Sequence, residues 1–257
     1  RSVTSRTVES YRDTFRIYIK YLQEELNISV ENISVSDFNQ TRVLSFLKYL
    51  EEIRHNKPAT LNNRLSVIHS FMKYVAEQAP EYSYIAKGTI MIPFKKQEIK
   101  LIEYITKEEF HALLNQCDDS TYLGFRDKVM LMLLYNTGIR VSELININWN
   151  SFKDIECSKG GYLSITGKGR KKRTIPLWKS TSELVREFVD TYQIQNVTSI
   201  FINKNKNNLT RSGVRFRINK LIMMASHECP SLLEKNISVH SFRHSVAMNL
   251  LQAGIDI

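Results

Sequence analysis

Cysteine is scarce in this 257-residue chain. Cys117, Cys157 and Cys229 are an odd number at no metal-like spacing. That argues against a disulfide framework or a zinc ribbon and suits a reducing cytoplasm. No apolar run approaches membrane-spanning length and no secretory leader opens the chain, so neither a membrane span nor export is expected. Internal repeats and low-complexity tracts are missing too. The chain opens on Arg1 rather than Met and reads as a fragment or a processed form. Acidic residues are in deficit, with 26 Asp and Glu against 36 Lys and Arg and a net charge of +10. The excess favours a polyanionic partner, nucleic acid ahead of a membrane surface. What is present is ordinary globular material, 42% apolar and 24% charged.

Residues 1–88 read as helical. Val8, Tyr11, Phe15, Tyr18 and Leu22 recur at helical spacing, with Arg12, Arg16 and Lys20 between them. Ser36 looks like a helix start, followed by the apolar face Val43, Leu44, Phe46, Leu47, Leu50 and Ile53. Pro58 marks a break, and Thr60 is expected to cap a third helix with Leu65, Ile68, Met72 and Val75 inward. Its opening residues Thr60, Asn62, Asn63 and Arg64 could bond phosphates or base edges. The plainer alternative is a capped helix with a solvated face. Residues 89–103, with Pro93, Lys95, Lys96 and Lys100, read as a basic linker, and a Thr106–Glu109 capping box opens a second domain, 104–257. The first domain carries 12 Lys and Arg against 10 acids and the second 21 against 14, so most of the charge excess lies in the second.

In that second domain Phe125–Tyr135 reads as a buried helix stopped by Thr137-Gly138, and Arg140 opens a short helix through Leu144. Residues 161–177 alternate as two strands around Gly167-Lys168-Gly169, a hairpin with five Lys and Arg between 166 and 177 and no acid. Lys168, Arg170, Lys171, Lys172 and Arg173 could lie along phosphates. A helical pattern covers Ser182–Tyr192, Ile200–Ile202 is a candidate strand, and Thr210 and Arg211 lead into a basic amphipathic helix, Val214–Ala225. His240-Ser-Phe-Arg243-His244 begins the last helix, with His240 and Arg243 one turn apart so that both can point the same way. The spacing of His240 and His244 also fits a zinc helix, but Ser241 stands where the zinc motif needs Glu, so no metal is expected.

Thr137-Gly-Ile-Arg140-Val-Ser-Glu143, then Thr166-Gly-Lys168-Gly, then His240-Ser-Phe-Arg243-His244, in that order within one basic domain, strongly resemble the tyrosine recombinase (phage integrase) family. The first domain, with Thr60–Ser66 continuing to Phe71 and Tyr74, is similar to that family's core-binding helical domain. The resemblance implies a mainly α fold with a small β-sheet: a helical core-binding domain and an α/β catalytic domain closing as a clamp on double-stranded DNA. By the same resemblance Arg140 and Arg243 grip the scissile phosphate, Lys168 protonates the departing 5′ oxygen, His240 carries a proton or binds phosphate, and Glu143 orients Arg140 or a histidine. His244 is read as structural. Guanidinium forks match the oxygens on which charge develops, and preorganised donors of this kind contribute about 3 kcal/mol each. The family uses no metal or nucleotide cofactor. A tyrosine attacks, and the 3′-phosphotyrosine holds the bond energy for rejoining.

The resemblance further implies a tetramer on DNA for the full-length protein, monomers or dimers for this chain, and a bacterial cytoplasmic location. The expected activity is that of a mobile element's integrase or transposase. The alternatives are a DNA-binding regulator with the same fold, a nicking topoisomerase and, more distantly, an RNA-binding protein. The family's nucleophilic tyrosine lies after the His-x-x-Arg helix, yet Tyr192 is the last of the 12 tyrosines here. These 257 residues are therefore expected to bind DNA without cleaving it. Denaturing electrophoresis of the chain after incubation with labelled site DNA should show no covalent adduct, and an adduct would refute this reading.

Overall fold

The computed structural model describes residues 5–97, 103–155, 159–167, 171–194 and 199–255. The chain divides into two compact units, Arg1–Lys100 and Leu101–Ile257.

The first unit is built from α1 (Ser5–Leu26), α2 (Gln40–Glu52), α3 (Pro58–Gln78) and α4 (Ser83–Ile90). Tyr18, Leu22, Phe46, Leu50, Leu65, Ile68 and Met72 form its core. The apolar spacings foresaw these helices, but their starts differ from the expected ones. Val35–Phe38 is a turn of 3-10 helix, and Asn39 caps α2 by accepting the Arg42 N–H. Lys57 precedes α3 and Pro58 occupies its first turn, where the missing N–H costs nothing. Thr60 is therefore inside the helix rather than its cap. The linker also begins later than residue 89. Thr89 is fully buried and donates to the Phe38 carbonyl, and Ile92 belongs to the core.

The second unit is organised on α6 (Tyr122–Thr137), which follows α5 (Lys107–Asn115). Buried residues occur all round α6, from Phe125 to Asn136, so it has to be covered on every side. α8 (Lys179–Tyr192) and α11 (Val239–Gln252) pack on it, while α9 (Arg211–Ala225) packs on α5. Short helices α7 (Val141–Leu144) and α10 (Ser231–Glu234) complete the helical set. An antiparallel sheet joins β1 (Phe152–Lys153), β2 (Tyr162–Thr166) and β3 (Lys172–Pro176) in that order. Thr166 pairs with Lys172 and Leu163 with Ile175, as expected of a hairpin closing near Gly167. β1 was not foreseen. Ile200–Ile202 forms no regular strand; only Ile202 bridges to Asn208.

Two charges sit inside this apolar framework. Asp127 Oδ1 accepts from Arg126 Nε and Nη2 at 3.0 and 2.6 Å, and its Oδ2 accepts from Arg217 Nε at 2.6 Å. Arg126 Nη1 donates to the Ile202 carbonyl at 2.7 Å. The cluster ties α6 to α9 and to the segment before it. Removing one partner of a buried pair strands the other charge. Asp127→Ala should therefore cost about 3–5 kcal/mol in chemical denaturation. Asp119→Ala, which breaks the more exposed contact with Lys128, should stay within about 1 kcal/mol.

Candidate active site

α6 ends at Gly138 in the left-handed region, φ 59°, where its N–H closes the helix by donating to Leu134 O. The turn is crowded as well as left-handed. A Cβ on Gly138 would meet Val246 at 3.4 Å and Arg243 Cγ at 3.6 Å, so glycine lets α11 approach α6 closely. Arg243 Nη1 donates to the Gly138 carbonyl at 2.9 Å. Arg140, two residues on, is the N-cap of α7. The two arginines that the sequence singled out are thus tied to the same turn, and both are exposed.

Arg140 is held by Glu143. Its main-chain N–H donates to Glu143 Oε2 at 2.8 Å and its Nη1 to Oε1 at 3.2 Å. Arg173 reaches the same carboxylate from β3, Nη1 to Oε1 at 3.0 Å and Nη2 to Oε2 at 2.8 Å. The hairpin reading placed Arg173 on DNA. The structure places it on Glu143, because a carboxylate this buried draws in a second cation. Burial pushes the Glu143 pKa up, but the Arg173 hydrogen bonds, the Arg140 N–H, the Arg173 charge and the Arg140 side-chain bond outweigh it and hold the carboxyl below its ordinary range.

α11 is anchored from behind. Lys235 donates to Glu109 Oε2 at 2.8 Å and Ser231 to Glu109 Oε1 at 2.7 Å, while the expected capping box joins Glu109 to the Thr106 N–H at 2.9 Å. Burial opposes ionisation of Glu109, and the bonds from Lys235, Ser231 and Thr106 overcome it, leaving its pKa lowered. Ser245 Oγ accepts the Ile105 N–H at 2.7 Å, and Phe242 is fully buried. Packing on one side of α11 leaves His240, in its first turn, exposed beside Arg243, with His244 half-buried.

Lys168 and Arg170 lie outside the described residues. Their neighbour Gly167 rests against the Glu143–Arg173 pair and closes the turn by donating to Lys171 O at 2.9 Å. Lys171 and Lys172 are exposed. Thr210 caps α9 by accepting the Gly213 N–H, and Arg211 is exposed beside it. In the first unit Asn63, Lys95 and Lys96 are exposed and Thr60 half-buried. Asn62 and Arg64 have partners within the first unit. Asn62 pairs both ways with the Lys95 main chain at 2.9 Å, and Arg64 donates to Thr14 Oγ1 at 2.9 Å. Sequence reasoning missed the Arg126–Asp127–Arg217 and Glu109–Lys235 clusters. The signal for the first was an Arg-Asp pair inside an otherwise apolar helix. No group of three or more His, Cys, Asp or Glu among the described residues is placed to hold a metal, and no described helix is long and apolar enough to cross a membrane.

Residues 103–257 match the phage integrase family, and residues 1–79 match the phage integrase N-terminal SAM-like domain. A putative integrase/recombinase, y4rC of Sinorhizobium fredii, is 34% identical over 256 residues, covering 100% of this chain and 76% of that protein. The tyrosine recombinase XerC of Staphylococcus haemolyticus is 29% identical over 260 residues, covering 100% and 81%. Among solved structures, the XerH site-specific recombinase in a pre-cleavage complex with its difH substrate shares the fold, with TM-score 0.72 at 21% identity over 96% of this chain and 68% of that one. A lambda integrase tetramer bound to a Holliday junction gives TM-score 0.68 at 16% identity over 99% and 70%.

Both depressed carboxyls make stability depend on pH. Their folded pKa values lie below the ordinary 4.5, so the stabilisation is present above that value and is lost as pH falls through the lowered ones. Thermal melts should be level from neutrality to about pH 5 and drop below it. Glu109→Gln should melt lower at neutral pH and show a shallower acid decline.

Proposed function

This chain belongs to the phage integrase family, the tyrosine recombinases, and from that premise we propose that Arg140, Lys168, His240 and Arg243, supported by Glu143, form the phosphate-gripping part of a site-specific DNA recombinase's active site. The observation that carries this reading is the shared turn. Arg140 and Arg243 are both fastened to residues 138–140, yet both keep exposed guanidinium groups. Two exposed cations, each held through one terminal nitrogen beside the same turn, suit a phosphodiester whose non-bridging oxygens gain charge during attack. Lys168 supplies the proton to the 5′ oxygen as it leaves, and His240 serves as a proton carrier or a further phosphate ligand. No metal or nucleotide enters the scheme.

The nucleophile in such a reaction is a tyrosine. Four of the five described tyrosines of the second unit are engaged elsewhere. Tyr122 and Tyr192 pack with Phe188, Tyr135 stacks on Phe110, Tyr104 lies under Lys235, and Tyr162 points outward from β2. On this reading these 257 residues hold DNA and supply the phosphate site, and the attacking tyrosine is not among them.

The partner is duplex DNA, with Thr60, Asn63, Lys95, Lys96, Lys171, Lys172, Thr210 and Arg211 on the backbone or grooves. Cutting and rejoining by the full-length protein takes place in a tetramer, in a bacterial cytoplasm, as the integration step of a mobile element; this chain alone is a monomer or dimer.

Two measurements test the proposal. Binding to a duplex selected by the chain from a random pool should weaken steeply with salt, and Lys171→Ala with Lys172→Ala should lower the log–log slope by about 2. Rejoining can be read without the tyrosine. A nicked duplex whose 3′ phosphate bears a p-nitrophenyl ester places an aryl leaving group where tyrosine would be. The 5′ hydroxyl attacks phosphorus, the aryl P–O bond breaks, p-nitrophenolate departs, and the hydroxyl proton passes to a side chain or solvent. The chain should accelerate this release, and Arg140→Gln or Arg243→Gln should slow it about 10²–10³-fold.

A further inference from the structure

Glu143 has no acceptor capacity left. A carboxylate offers about four lone-pair sites. Here Oε1 takes Arg140 Nη1 and Arg173 Nη1, and Oε2 takes the Arg140 main-chain N–H and Arg173 Nη2. The sharing is unequal. Arg173 makes the two-pronged contact that is strongest between guanidinium and carboxylate. Arg140 contributes one side-chain bond, at 3.2 Å the longest of the four, and otherwise its backbone. The end of β2 makes room for the fork, since a Cβ on Gly167 would fall 2.8 Å from Arg173 Nη1 and 3.5 Å from Glu143 Oε1.

We infer that Arg173 is a positioning residue: it occupies the face of Glu143 that Arg140 would otherwise take, and so keeps the Arg140 guanidinium available to phosphate. This rests on the phosphate role proposed for Arg140. Charge makes the point directly. Glu143, Arg140 and Arg173 together carry +1, which attracts an anion. Without Arg173 the pair that remains is neutral. Its carboxylate, with a side chain only 6% exposed, then has a single cation to answer it. Arg140 sits three residues away on the same helix start and would close its own fork there, giving up charge and donors together. Arg173 is thus tied to the reaction without touching the substrate.

The alternative is that Arg173 contacts DNA itself, and the two differ in how Arg173 and Glu143 couple. The probe is the p-nitrophenyl-ester nicked duplex, at saturating concentration. Arg173→Gln should slow release about 10- to 100-fold, the range for partners that orient a reacting group. The loss should fall on the saturated rate rather than on duplex affinity. Arg173→Lys, which keeps the charge and loses the fork, should fall between the two. Glu143→Gln combined with Arg173→Gln removes the competing carboxylate and restores the +1, and it should be faster than Arg173→Gln alone. Parent-like release by Arg173→Gln, or a double variant slower than Arg173→Gln, overturns the inference. Should Arg173→Gln fail to fold by circular dichroism, Arg173→Lys with and without Glu143→Gln gives the same comparison. No release from the parent chain would overturn the phosphate-site reading itself, and this inference with it, a result distinct from any difference among variants.

Discussion

A carboxylate taken out of water has to be answered by cations and donors, and much of the second unit is arranged round two such groups. Glu143 draws Arg140 from the start of α7 and Arg173 from β3, which fixes the hairpin against the helical part of the unit. Glu109 draws Lys235 and Ser231, which fixes the segment entering α11 against α5. Isolated surface ion pairs contribute little. These contacts matter because the carboxylates are buried, so the cost of leaving them unpaired is large and the geometry that pairs them is specified. The charged network thereby sets the register between elements that apolar packing alone would allow to slide.

α6 supplies the other constraint. Being buried on all sides, it is enclosed by α8, α11 and the rest of the core, and its end at Gly138 is a fixed point. Arg140 leaves that point along the chain, and Arg243 arrives at it across space through the Gly138 carbonyl. A left-handed glycine at the junction serves both, since it turns the chain and removes the side chain that would hold α11 away.

How far the sequence disclosed this can be argued from particular residues. Apolar spacing located α6 and its glycine stop, the capping box located the start of α5, and alternation about Gly167 located the hairpin. Each is a local pattern whose cause lies within a few residues. β1 escaped because two residues carry no period, and Ile200–Ile202 misled because three apolar residues read as a strand whether or not a partner edge exists. Arg173 was recognisable as one basic residue of a hairpin, but its partner lies 30 residues earlier. Asn62 had the chemistry to read a groove, yet the Lys95 main chain lies 33 residues away and takes both halves of its amide. Periodicity tells which face turns inward. It does not tell which polar group a long side chain will find there.

Four arginines of the second unit differ in how many of their donors the fold consumes. Arg126, 2% exposed, commits Nε, Nη1 and Nη2 to Asp127 and Ile202, and Arg173 commits both terminal nitrogens to Glu143. Arg140 and Arg243 each use one terminal nitrogen, enough to fix the direction of the side chain. A guanidinium with five N–H donors, anchored by one, is rigid and still largely unsatisfied. That is the condition under which binding an anion costs little reorganisation, and it is what the phosphate role proposed for this pair requires. Arg126 and Arg173 hold the frame, and Arg140 and Arg243 face outward from it.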